Sequence, residues 1–356
     1  MPPPISWWTW SGIPRLETTM ERVRITILGL IGLATVWLFL SLSFNSPNPA
    51  VASFVPAGPD TWHAKARMPE PRKFEAAFPL NGKIYCVSSG DDNGSDGGRI
   101  YEYSPTNDVW TKKRAVKTRR HSSGHGVVNG RIYTISGLLE GASSAGAPPF
   151  TGALEEYDPA TDTWRQRAPL PRPRLFAVGA GANGKLYAIG GVAHADSRMF
   201  HSRFVDEYDP KTNRWTAKAD LPLETRAYRV AVANEKIYLI GGADRNFSRL
   251  LASVYEYDRS SDAWIPRASM PTARADYAVT TMNGKIYAFG GLGGMNAAEE
   301  YDPASDRWRT CSSMPTPNWL QVAAPLDGRI YVISGWEGMW PGGSVLNAVW
   351  EYRTAE

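Results

Sequence analysis

Three observations predict an all-β chain folded as a six-bladed propeller closed by its own N-terminal strand. A decapeptide, EEYDPATDTW at 155–164, recurs as EYSPTNDVW (102–110), EYDPKTNRW (207–215), EYDRSSDAW (256–264) and EYDPASDRW (300–308). A second element recurs in step with it: NGKIYCVSSG, NGRIYTISG, NGKLYAIGG, NEKIYLIGG, NGKIYAFGG and DGRIYVISG. The tryptophans at 62, 110, 164, 215, 264 and 308 are 48, 54, 51, 49 and 44 residues apart. A period near 50 with four strands per unit is the signature of a propeller blade.

Each element has a local cause. The alternation before Tyr157 suits a strand, and Asp158-Pro159 turns the chain, because proline presets φ for a type I turn and Asp bonds the turn backbone. Trp164 then opens a second strand, so each copy is a hairpin with a large aromatic at a fixed place. An isolated hairpin is marginal in water, so five copies imply that each packs on its neighbour. Asn-Gly suits a type I′ turn, which needs φ > 0 twice, and the I-Y-x-I/V/F run after it reads as a buried strand. One unit is therefore strand a, NGK turn, strand b, Gly-Gly, variable loop, strand c, DPxTD turn, strand d.

These repeats resemble the kelch family over residues 60–356, and the resemblance implies a kelch-type β-propeller while leaving function open. The ends give the blade count. Val349-Trp350-Glu351-Tyr352 ends a strand c with no turn or Trp after it, and Asp60-Thr61-Trp62 is the tail of a hairpin with no Tyr-Asp-Pro before it. The sixth blade is expected to combine strands a to c from 318–352 with a strand d near Trp62, which leaves no open seam.

Ile25–Phe44 contains no charge over twenty residues, about 30 Å of helix at ~1.5 Å per residue. Arg15, Arg22 and Arg24 precede it and no Lys or Arg follows until Lys65, which points the propeller out of the cytoplasm. The expected organisation is 1–24 cytoplasmic, 25–44 a transmembrane signal anchor, 45–59 a linker and 60–356 the propeller. The alternative is a signal peptide cleaved after Ala52, with Met20 as a plausible start. Hydrophobic residues make up 43% and aromatics 12%, enough for a core, and a net charge of +4 gives no support to a nucleic-acid partner. Cys86 and Cys311 fall on separated blades and are expected to be free thiols.

Function is expected on the face carrying the long, varied b–c loops. Arg72, Arg120, Arg174 and Arg274 occupy one equivalent position, with Arg226 one residue out of register and Asn318 in the sixth unit. In kelch propellers such an arginine often points into the mouth of the central channel, so the resemblance implies a site for an anion, which guanidinium groups grip bidentately. An equally available role is bridging between blades. Departures from the repeat add Lys73, Tyr228, Arg229, Tyr277, Trp319 and Gln321 on the strands and their flanks, and Asp91, Asp92, His194, Asp196, His201, Trp336, Glu337 and Trp340 in loops. The expected ligand is a sugar acid or an acidic peptide, bound by Arg72, Arg120, Arg174, Arg226, Arg274, Tyr228, Tyr277, Trp319 and Trp336. A second reading makes His121, His125, Glu75 and Asp276 an acid/base set for an epimerase or mutarotase, and a third is a structural interaction module. No cofactor is expected. A divalent metal on the two histidines lacks a signature, a copper-radical site lacks a suitably placed cysteine, and the 91–98 loop lacks the glycine of a calcium loop.

Overall fold

A computed structural model of the chain describes residues 60–88, 98–140, 150–195, 198–338 and 343–355. The proposed 25–44 span, Asp91, Asp92, Asp196 and Trp340 lie outside the described residues. Among the described residues no helix is long and apolar enough to cross a membrane.

The described residues form six four-stranded antiparallel sheets, each running a-b-c-d from the inside outward. Blade 1 is Phe74–Leu80, Lys83–Ser88, Arg99–Ser104 and Val109–Ala115; blade 2 is Gly124–Val128, Arg131–Ile135, Leu154–Asp158 and Thr163–Arg167. Blade 3 is Val178–Ala182, Lys185–Ile189, Val205–Asp209 and Arg214–Lys218; blade 4 is Arg229–Ala233, Lys236–Ala243, Leu250–Asp258 and Ala263–Arg267. Blade 5 is Ala278–Met282, Lys285–Phe289, Ala298–Asp302 and Arg307–Thr310. Blade 6 takes Val322–Leu326, Arg329–Ile333 and Val349–Arg353 from one end of the sequence and Thr61–Ala64 from the other, in the register Trp62↔Tyr352. The a strands touch in cyclic order, blade 6 against blade 1 included, so the ring is closed.

The repeated residues hold blade to blade. Trp110, Trp164, Trp215, Trp264 and Trp308 each donate their indole N–H to a carbonyl at or just beyond the end of strand d of the preceding blade, at Ala66, Arg114, Ala168, Ala219 and Ala268. Trp62 does the same to Ser312, which extends the pattern through the closing blade. The c–d turn residues Asp108, Asp162, Asn213, Asp262 and Asp306 accept a Tyr hydroxyl from their own strand c and a backbone N–H from the preceding blade. Asp60 plays that part for blade 6, accepting from Ser312 N. Apolar clusters fill the interfaces between blades. One joins Phe74, Ile84 and Tyr103 of blade 1 to Ala324, Tyr331 and Ile333 of blade 6. Glycine at 179 and 181 lets two a strands approach closely, since a Cβ there would lie 2.2 and 1.7 Å from the His125 and Val127 carbonyl oxygens.

Candidate functional site at the channel mouth

Where the chain enters strand a, Ser122, Phe176, Ala227, Asp276 and Leu320 sit at equivalent places with φ between 51° and 59°. That left-handed geometry is costly for residues with a Cβ. It aims backbone groups sideways, so Phe176 N reaches Ser122 O at 2.7 Å, Asp276 N reaches Ala227 O at 3.0 Å and Leu320 N reaches Asp276 O at 2.8 Å. Blade 1 breaks the pattern. Its strand a is bulged between Phe74 and Ala76, and Phe74 is buried in the core. Glu75 replaces the missing carbonyl, its carboxylate accepting from Ser122 N at 2.7 Å and Ser123 N at 3.4 Å.

Two of the sequence-predicted acid/base residues therefore meet, in a seam between blades. His125 Nε2 lies 2.7 Å from Glu75, and its Nδ1 lies 3.2 Å from the Thr134 hydroxyl, so both ring nitrogens are engaged. The His125 side chain is 2% exposed. His121 packs nearby with Nδ1 3.1 Å from the Ser122 hydroxyl, and burial lowers its pKa against the pull of Glu75. Asp276 belongs elsewhere on the mouth, three blades on. Burial raises its carboxyl pKa, opposed by Arg229, whose nearest nitrogen is 3.7 Å away, and by Arg226.

Most of the predicted arginine ring is sealed into the blades, and this corrects the anion-ring expectation. Arg120, Arg174 and Arg274 are each 0% exposed and pair with Glu155, Asp206 and Glu299 on strand c or its edge. Each also donates to carbonyls of its own blade, as Arg120 and Arg174 do to Thr134 and Ala188 at 2.9 and 2.8 Å. Arg72 is buried too, bonded to Glu70 at 2.7 Å and lying over the Tyr101 ring at 5.1 Å. A buried guanidinium holding a buried carboxylate has no face left for a ligand. Tyr228 and Tyr277 are likewise buried, their hydroxyls donating to Ile189 O and Ile240 O of the preceding blade at 2.8 Å. Trp336 is mostly buried, 6.4 Å from the half-buried Trp319 and under the Lys73 ammonium at 4.9 Å.

A signal for this role was present in the residue just before the strand c Glu-Tyr. It is Glu155, Asp206 or Glu299 where arginine is sealed by charge, and Tyr101 where Arg72 stacks. Blade 4 has Tyr255 opposite Thr225, and blade 6 has Trp350 opposite Asn318. Arg226 is thereby displaced one residue from the buried slot, which Thr225 fills at 4% exposure. It lies half-buried with its guanidinium 5.0 Å from the Phe247 ring. Arg245 is exposed beside Glu224 at 3.9 Å, and His201 is lowered by burial and then by Arg226 and Arg245. Arg229 stands where the other blades have Ala76, Gly124, Val178, Ala278 and Val322, aimed by bonds to Tyr277 O at 2.6 Å and Tyr228 O at 3.1 Å. Among the described residues no three metal-ligating side chains come together.

The model of the Kelch motif matches residues 173–222, 225–271 and 273–315, which carry blades 3, 4 and 5. The chain is 31% identical over 194 residues to "Kelch-like protein 25" of Xenopus tropicalis, covering 54% of this chain and 32% of that protein. It is 26% identical over 194 residues to "Beta-scruin" of Limulus polyphemus, covering 54% and 21%. It is 29% identical over 187 residues to "Kelch repeat and BTB domain-containing protein 12" of Homo sapiens, covering 49% and 30%. The match thus spans about a third or less of each of these relatives. In fold it resembles the solved structure "Structure of YjhT", with a TM-score of 0.66 and 18% identity over 80% of this chain and 95% of that one. Three of the six antiparallel blades carry the matched Kelch motif, so the chain is similar to kelch-repeat proteins in sequence across those blades and in fold.

Proposed function

We propose that this propeller is a protein-binding module whose mouth, on the side of blades 3 to 5, takes an acidic segment of a partner. The observation that carries the reading is the displacement of Arg226 out of the buried slot, beside Arg229 and the exposed Arg245. Among the described residues the carboxylates beside these three guanidinium groups are Glu224 and the half-buried Asp276, and Phe247 offers Arg226 a flat, weakly hydrating support. Converging cations of this kind favour carboxylates. The matched stretch makes up 32% and 30% of two longer kelch relatives, which agrees with a module carried within larger chains. The sealed arginines and the fully bonded His125 turn the reading away from a ring-lined small-molecule site and from proton transfer.

The proposal includes an extracytoplasmic propeller, tethered through 25–44 or released by cleavage after Ala52, supported by the arginines ahead of the apolar run. A reporter fused after Glu356 would be active only outside the cytoplasm, and activity only inside would refute this.

Binding is tested by fluorescence anisotropy of residues 53–356 with a labelled glutamate-rich peptide, alongside its glutamine counterpart and glucuronate as competitor. Saturable binding of the acidic peptide, weakened at least tenfold in Arg226→Ala/Arg245→Ala, supports the reading. Equal binding of the glutamine peptide refutes it. Displacement by millimolar glucuronate would assign the mouth to a sugar acid instead.

A further inference from the structure

Blade 3 carries an addition that the ring does not need. Between strands b and c its chain forms the hairpin Val192–Ala195 and Arg198–His201, which pairs with Arg174–Leu175 to make a separate three-stranded sheet. Arg198–His201 is the edge of that sheet. Its register is Val192↔His201, Ala193↔Phe200, His194↔Met199 and Ala195↔Arg198, and Ser202 N donates to Gly191 O at 2.8 Å. Hydrogen-bonded and non-bonded pairs alternate in an antiparallel ladder. The backbone groups of Phe200 therefore point in towards the hairpin, while those of Met199 and His201 point out along the open edge. Met199 is also the most exposed of the large apolar side chains described, at 62%.

We propose that this edge receives the partner by strand addition: an extended acidic segment of the partner pairs with Met199 and His201 and lays an apolar residue on Met199. Backbone pairing supplies the affinity in this mode and side-chain contacts the specificity. The choice of occupant follows from charge. Arg198 opens the strand and Arg203 lies just after it, both exposed, and Arg226 and Arg245 act electrostatically on His201. The edge also carries no proline, unlike the outer strand Ala263–Arg267 with its Pro266. This inference rests on the acidic-segment reading above and adds its binding mode.

The probe is a fluorescein-labelled peptide of four Glu-Val repeats, titrated into residues 53–356. Met199→Pro removes an outward N–H without breaking a hairpin bond, a position where an edge strand tolerates proline. It is expected to weaken binding at least tenfold, with Met199→Ala weakening it by less. Hydrogen exchange should slow at the Met199 and His201 amides when peptide is bound, which reads the pairing directly in the unmodified protein. Binding that survives Met199→Pro and leaves those amides unprotected, yet falls in Arg226→Ala/Arg245→Ala, overturns strand addition and leaves the acidic reading standing. No binding to the unmodified propeller overturns both.

Discussion

Replacing Arg274 with methionine separates a structural arginine from a ligand-gripping one. The side chain is 0% exposed, and its partner Glu299 is 2% exposed on the blade 5 strand c. Methionine keeps much of the volume but leaves a buried carboxylate without its cation, a change that costs about 3–5 kcal/mol. Against a typical total of ~5–15 kcal/mol this is a large fraction. Urea unfolding followed by tryptophan fluorescence should show a lower midpoint with an unchanged slope. Arg274→Met/Glu299→Gln should recover part of the loss, because the orphaned charge is gone. The pH dependence has a definite sign. Burial already raises the Glu299 pKa in the folded protein despite Arg274, so the native state binds the proton more tightly than the unfolded chain. Its contribution is fully present below the unfolded value and is lost as pH rises through the folded value. Without Arg274 the folded value rises further, so the variant should be less destabilised at pH 5 than at pH 8. A loss below about 1 kcal/mol at pH 7.5, in the range of an exposed ion pair, would refute the sealed-strut reasoning and return this arginine to the mouth.

Three other outcomes are expected. Trp62→Ala removes the bond to Ser312 O and ring contacts with Tyr352 and Phe289 at 4.8 and 5.5 Å, and should cost about 3–5 kcal/mol, read as a lower melting temperature. Asp276→Asn removes the carboxylate that competes for Arg226 and Arg229, so acidic-peptide affinity should rise several-fold; because protonating native Asp276 has the same effect, the native protein should bind more tightly as pH falls through that raised value, and the variant should lose this part of the pH dependence. Cys86 and Cys311 are buried, burial raising both thiol pKa values and taking Cys311 to about 12, so a thiol reagent should label neither within minutes in native buffer and both in urea.

The fold was legible because its cues are local and repeated. Asn-Gly turns, Tyr-Asp-Pro turns and Trp at a 50-residue period each have one inexpensive structural answer, and the unmatched Asp60-Thr61-Trp62 and Glu351-Tyr352 named their own partners. The site was legible only in part. Arg120 and Arg226 stand within one residue of the same repeat position, yet one is sealed by Glu155 and the other lies half-buried beside Phe247, because the deciding residue sits some thirty positions away on strand c. Glu75 stood out as a departure, but its task follows from a backbone bulge at Phe74 that residue types do not display. The exposed edge at Met199 depends on strand pairing within a loop that reads as merely variable.

The pairing of Trp62 with Tyr352 also sets an order of events during synthesis. Strand Thr61–Ala64 is among the first parts of the propeller made, yet its partner Val349–Arg353 is among the last. Joining ends about 290 residues apart costs only ~2 kcal/mol more in chain entropy than closing a loop of about 20, by the logarithmic rule. The delay is therefore the greater burden. Until the final strand emerges, Trp62 lacks Tyr352 and the strand it pairs with, and Asp60 lacks the Ala355 amide. A nascent chain arrested before residue 349 would be an open arc of blades with sticky ends, and strand Val349–Arg353 is the one that turns it into a ring.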